Sequence, residues 1–128
     1  MSMAMTKKSV LRDKSYAFAV RMVKFYQYLR NEKSEFVLSK QILRSGTSIG
    51  ANIEEASGTQ SYKDFTAKLH IALKEARETH YWLRILRDTN YISNEQCDDL
   101  LKDTDEIIAL LTASLKTIKA KETKANAS

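Results

Sequence analysis

An all-α fold, an antiparallel up-down-up-down four-helix bundle, is predicted by three observations. Apolar residues recur at three- and four-residue steps through four long stretches, the spacing that lines one side of an α-helix. No proline and only three glycines interrupt the 128 residues, and strand-like alternation is absent. The segments between the periodic stretches are short and polar, which makes consecutive helices antiparallel neighbours. With 43% hydrophobic and 29% charged residues, the chain has the make-up of one domain with one core. The bundle is expected over residues 10–118, between a flexible N-terminus (1–9) and a flexible C-terminal tail (119–128).

The first helix is expected from about Val10 to Leu29, with Leu11, Ser15, Phe18, Met22, Phe25 and Leu29 as its core stripe. Tyr16, Val20 and Val23 lie on the opposite side, so this helix is apolar on two faces, and a second apolar face asks for a second partner. Asn31-Glu32-Lys33-Ser34 reads as a polar turn. The second helix begins near Phe36 or Leu38 and carries Leu38, Ile42, Ser45, Ile49, Asn52 and Ala56 along one stripe. Two polar residues in that seam need partners once buried. Gly46 and Gly50 stand one turn apart, each costing about 1 kcal/mol against alanine inside a helix, which points to close approach of a neighbouring backbone. Gly46, Gly50 and Asn52 are therefore the expected close-packing residues, and Gly58 is expected to end the helix in the left-handed conformation.

Ser61 with Asp64 three residues on is a cap for the third helix. Its stripe is Tyr62, Phe65, Leu69, Ala72, Ala76, Thr79, Leu83 and Leu86, while Ala67, Ile71, Trp82 and Ile85 form a second apolar face. Tyr16, Val20, Val23, Ile71, Trp82 and Ile85 are thus the candidate oligomer interface. Asp88–Ile92 breaks the pattern, and Ser93 with Gln96 forms a capping box for the fourth helix. That helix carries Leu100, Thr104, Ile107, Leu111, Ser114 and Ile118 inward.

The run Arg44-Ser45-Gly46-Thr47-Ser48-Ile49-Gly50-Ala51-Asn52-Ile53-Glu54-Glu55-Ala56 resembles the signature of the small bundle proteins encoded within intervening sequences of bacterial 23S ribosomal RNA. Ala72-Leu73-Lys74-Glu75-Ala76-Arg77-Glu78-Thr79, followed by Tyr81-Trp82-Leu83, resembles that family's third-helix pattern, and the likeness covers residues 8–119. Glu54 and Ala56 depart from the family's common form, which has a small residue after Asn-Ile and often ends in glycine. The resemblance implies a four-helix bundle, often a homopentamer. It also implies similarity to the accessory variability protein of diversity-generating retroelements, which binds nucleic acid and a reverse transcriptase.

Charge is uneven. Residues 1–44 carry ten Lys or Arg against three Asp or Glu, and the remainder eleven against thirteen, so a net +5 becomes +7 and −2 in the two parts. Arg12, Lys14, Arg21, Lys24, Lys40 and Arg44 are the candidate phosphate contacts, with Tyr26 or Tyr28 available to stack on an unpaired base. The competing readings are a solvated basic face and an oligomeric scaffold for a protein partner such as a reverse transcriptase, in which charge sets only solubility and partner choice. Nothing points to an enzyme. No Glu-x-x-His pair offers a di-metal site, since Glu75 and Glu78 stand five and two residues before His80 and His70 has no acid three or four residues away. No nucleophile elbow, phosphate loop or dinucleotide fingerprint is present, so neither metal nor cofactor is expected. Cys97 reads as a packing residue. A single cysteine fits a reducing compartment, and the absence of an apolar run of membrane-spanning length places the protein in the cytoplasm. The expectation is a non-enzymatic, oligomeric nucleic-acid-binding bundle whose partner is RNA.

Overall fold

The computed structural model describes residues 3–127, with side chains over 10–126. Four helices make up the fold: α1 (Met3–Asn31), α2 (Leu38–Ser57), α3 (Tyr62–Asp88) and α4 (Asn94–Ala127). Among the described residues there is no strand. Each helix packs on the next in sequence and α4 packs back on α1, so the four surround one core as a four-helix bundle. The stripes read from the sequence meet there: Phe18, Met22 and Leu29 of α1, Ile42 and Ile49 of α2, Leu83 and Leu86 of α3, and Ile107 and Leu111 of α4 are all buried.

Contact is broadest where α2 meets α1 and α3, and narrowest between α1 and α4. The small residues of α2 account for its side of this. A Cβ built on Gly50 would sit 3.2 Å from the Ser15 carbonyl oxygen, and one on Gly46 would lie 2.7 Å from Met22 Sδ. The two glycines thus face α1 at the closest approach of the helices. On the α3 side the buried hydroxyls of Ser45 and Thr79 stand 2.9 Å apart, so a polar member of the seam finds its partner across the helix pair. Asn52 does not share that role: it is half-buried, and its side-chain amide donates 2.8 Å to the Ser48 carbonyl of its own helix.

Caps set three helix ends. Ser61 Oγ accepts from the Asp64 amide at 3.1 Å, and at α4 the Gln96 amide donates to Ser93 Oγ while the Ser93 amide donates to Gln96 Oε1. These are the two capping motifs visible in the sequence. The start of α2 is held differently, by a residue outside the helix. Glu35 is buried in the α1–α2 connection, and its carboxylate accepts from the amides of Val37, Leu38 and Ser39 at 3.0, 2.8 and 2.6 Å. A buried negative charge is favourable there because it meets both the unpaired amides and the positive helix end. Glu35→Ala is expected to lower the unfolding free energy by about 2 kcal/mol, with Glu35→Gln losing less. Urea unfolding of the two variants checks this, and an unchanged midpoint for Glu35→Ala would show that water replaces the carboxylate without loss.

Three ends differ from the sequence expectation. Helix α1 starts at Met3 rather than Val10; residues 1–2 of the expected flexible N-terminus lie outside the described residues. Gly58 has φ −92°, not the left-handed conformation. Helix α2 instead closes by tight turns in which the Gly58 and Thr59 amides donate to the carbonyls of Glu55 and Ala56. Helix α4 continues past Ile118 through residues 119–127 of the expected tail, with residues 119–126 exposed; residue 128 lies outside the described residues. Alanine, lysine and glutamate there are strong helix formers, so the turns continue without a core to cover.

Candidate functional site

The six basic candidates divide into two sets that different helix pairs hold apart. On α1, Lys14, Arg21 and Lys24 lie on the side turned to α4. Lys14 Nζ is 2.9 Å from Glu106 Oε2, and the Arg21 guanidinium spans Asp99 and Asp103. The lysine, through its hydrogen bond and charge, holds the Glu106 carboxyl below its ordinary range. Lys24 lines a groove of about 290 Å³ with Arg21, Tyr28 and Asp99, and no carboxylate pairs with it among the described residues. Arg12 is exposed with Asp13 4.0 Å away.

On α2, Arg44 reaches across to α3 and pairs with Glu75 and Glu78. Glu78 also accepts from the Trp82 indole at 3.2 Å. Burial would raise its carboxyl pKa, but the donors from Arg44 and Trp82 outweigh it and the result is lowered. The stabilisation from such lowered carboxyls is present above their unfolded pKa and lost as pH falls through the folded one. Lys40 stands exposed without a carboxylate partner among the described residues. Three of the six candidates, Lys14, Arg21 and Arg44, therefore join helices, and Lys24, Lys40 and Arg12 remain as outward charge.

The proposed stacking rings are likewise occupied. The Arg30 guanidinium lies 5.4 Å from the Tyr26 ring centroid. Tyr28 stacks beside Phe25, has Lys33 Nζ 5.9 Å from its ring, and accepts from Gln96 Nε2 at 3.3 Å. An aromatic that the sequence reading assigned to the core stripe is open instead. Tyr62, at the start of α3, is 59% exposed. It precedes the first inward turn of its helix, a position that its stripe alone does not reveal.

The candidate interface residues also separate. Tyr16, Val20 and Val23 are 67, 40 and 42% exposed and form an apolar stripe on the outer side of α1. On α3, Ile71 is exposed while Trp82 and Ile85 are half-buried. Tyr81, which is not among the interface candidates, is exposed on the same helix, its ring centroid 5.2 Å from that of Trp82.

No catalytic constellation assembles from the residues weighed for one. Cys97 is buried with Sγ 3.5 Å from the Leu83 carbonyl, and burial pushes its thiol pKa up, the opposite of an activated nucleophile. His80 is half-buried: Nδ1 accepts from Arg84 Nε at 3.1 Å and Nε2 lies 3.4 Å from Asp105. Among the described residues no group of three or more His, Cys, Asp or Glu is placed to hold a metal ion, and no helix is long and apolar enough to cross a membrane.

These features define a small all-helical bundle protein with charged helix–helix clamps and exposed apolar outer faces. The chain belongs to the 23S rRNA-intervening sequence protein family, which matches it over residues 7–113. It is similar to a crystal structure from Bacteroides thetaiotaomicron described as a protein with unknown function from the S23 ribosomal protein family. That protein is 57% identical, the match covers 86% of this chain and 98% of the other, and the TM-score is 0.85. No curated protein matches the chain.

Proposed function

We propose that this protein is a non-enzymatic, self-associating bundle of the cytoplasm that binds nucleic acid, RNA in the first instance, through phosphate contacts. The observation that carries the reading is cationic surplus: the chain has a net charge of +5, and Lys24 and Lys40 are exposed with no carboxylate paired to them among the described residues. The clamps of Lys14, Arg21 and Arg44 narrow the contact set, since each already neutralises a carboxylate. The family's name refers to 23S rRNA and the similar structure is described as of a ribosomal protein family, which favours RNA over DNA. An up-down-up-down course is supported by the order of the clamps. Arg21 pairs with Asp99 and Asp103 while the earlier Lys14 pairs with the later Glu106, and Arg44 pairs with Glu75 and Glu78 while the later Glu55 pairs with the earlier Lys68.

Self-association is supported by the outer stripe of Tyr16, Val20 and Val23, and a homopentamer follows from the family resemblance. A ring would repeat each cationic patch and strengthen phosphate binding by multivalency. The exposed Ile71 and Tyr81 on α3 favour a second reading, a scaffold for a protein partner such as a reverse transcriptase, as the likeness to the retroelement accessory protein implies. Electrophoretic mobility shift with structured RNA, single-stranded DNA and duplex DNA at low salt separates the two. Retardation, strongest with RNA, is expected; no retardation of any of the three would leave the scaffold.

A further inference from the structure

A concave feature that shares no lining residue with the charged clamps lies at one end of the bundle. There the α2–α3 turn meets the first turns of α1 beyond Val10 and the late turns of α4, enclosing a pocket of about 350 Å³. We propose that this pocket seats an unpaired base of a single-stranded nucleic acid, with a flanking phosphate on Lys121; the inference rests on the nucleic-acid reading above.

Three features of the pocket carry it. First, its volume falls in the range of small-molecule sites, and its floor is apolar, with Ile53, Leu69 and Ile118 among the lining residues. Second, Tyr62 lines the opening and is 59% exposed, with no ring stacked on it and no cation over its face among the described residues. It offers a ring face, whereas Tyr26 and Tyr28 have theirs covered, and base–aromatic stacking is the main sequence-tolerant contact to single strands.

Third, the rim is polar in a way that suits a base edge. The hydroxyls of Thr59 and Thr117 donate to the carbonyls of Ala56 and Ala113, which leaves their oxygens as acceptors, and the exposed Gln60 amide supplies both a donor and an acceptor. The charge also fits a polyanion. Lys121 lines the pocket and is exposed, with no carboxylate partner among the described residues. A duplex, whose bases are stacked and paired, offers nothing to the pocket, so the preference is for unpaired strands.

The test is fluorescence anisotropy of the full chain with a labelled single-stranded adenylate hexanucleotide and with an abasic phosphodiester of the same length. Tyr62 and Lys121 are exposed, so Tyr62→Ala and Lys121→Ala leave the core untouched. The wild type is expected to bind the base-bearing strand on the order of tenfold more tightly than the abasic one. Tyr62→Ala should erase that preference, and Lys121→Ala should weaken both ligands alike. A base preference that survives Tyr62→Ala overturns the proposal while leaving nucleic-acid binding in place, whereas a wild type that binds neither strand removes the broader reading as well. If Tyr62→Ala leaves hexanucleotide binding intact and instead cuts a rise in melting temperature caused by laurate, the pocket belongs to an acyl chain and the proposal is wrong.

Discussion

Gly50→Leu is expected to cost the fold about 1–3 kcal/mol, seen as a lower urea midpoint with an unchanged slope. The atom nearest a new Cβ is the Ser15 carbonyl oxygen at 3.2 Å, followed by its carbon at 3.4 Å. Backbone cannot rotate aside, so α1 must move as a unit and the core behind it must repack. Gly50→Ala sets about 1 kcal/mol of gained helix propensity against a contact only slightly too close, and its change should be the smaller. Gly46 meets a side chain instead, the fully buried Met22. Gly46→Ala should therefore destabilise the wild type but cost less in a Met22→Ala background, where space has been made; such non-additivity marks residues in direct contact. Wild-type melting of Gly50→Leu would refute close packing at α2.

Val20→Glu with Val23→Glu should convert an assembly into monomers of 14.6 kDa. The two valines sit on the solvent side of α1, 40 and 42% exposed, so carboxylates there cost the isolated bundle little. Placed in an apolar interface without a partner, each would cost several kcal/mol, enough to dissociate subunits held by that stripe. Light scattering reads the outcome, with circular dichroism confirming that the helices persist. A wild type already monomeric at micromolar concentration removes the interface; a dimer keeps the interface and removes the ring.

Local chemistry was legible in the sequence because its partners are close along the chain. Ser61 with Asp64 and Ser93 with Gln96 each act over three residues, and the Leu11–Phe18–Met22–Leu29 stripe needs only helical periodicity. Glu35 carries no such signature because it stands two residues before the cap position, held by Val37, and its longer side chain reaches amides two to four residues ahead after a turn in which Ser34 takes φ 52°. The roles of the basic residues were not legible for a different reason. Arg21 meets carboxylates 78 and 82 residues away, and such partners appear only once the order of helices around the core is known.

That clamp also changes which substitutions test binding. Arg21→Glu would gather three carboxylates between α1 and α4, the helix pair in narrowest contact, so a loss of binding there would report on the fold. The pocket at the bundle end was hidden for the same reason as the clamps, since α1, the α2–α3 turn and α4 each contribute to its wall.

Lys24 and Lys40 are the cleaner probes, and the salt dependence of RNA affinity is the measurement that bears most directly on phosphate binding. Each phosphate neutralised releases counterions, so the logarithm of affinity should fall linearly with the logarithm of salt, by about 0.7 per contact on a single strand. The account predicts a steep slope for the wild type, competitors of unrelated sequence that displace the probe nearly as well, and a shallower slope for Lys24→Glu with Lys40→Glu at unchanged oligomer mass. An affinity independent of salt, or a slope that the double reversal leaves unaltered, would contradict it.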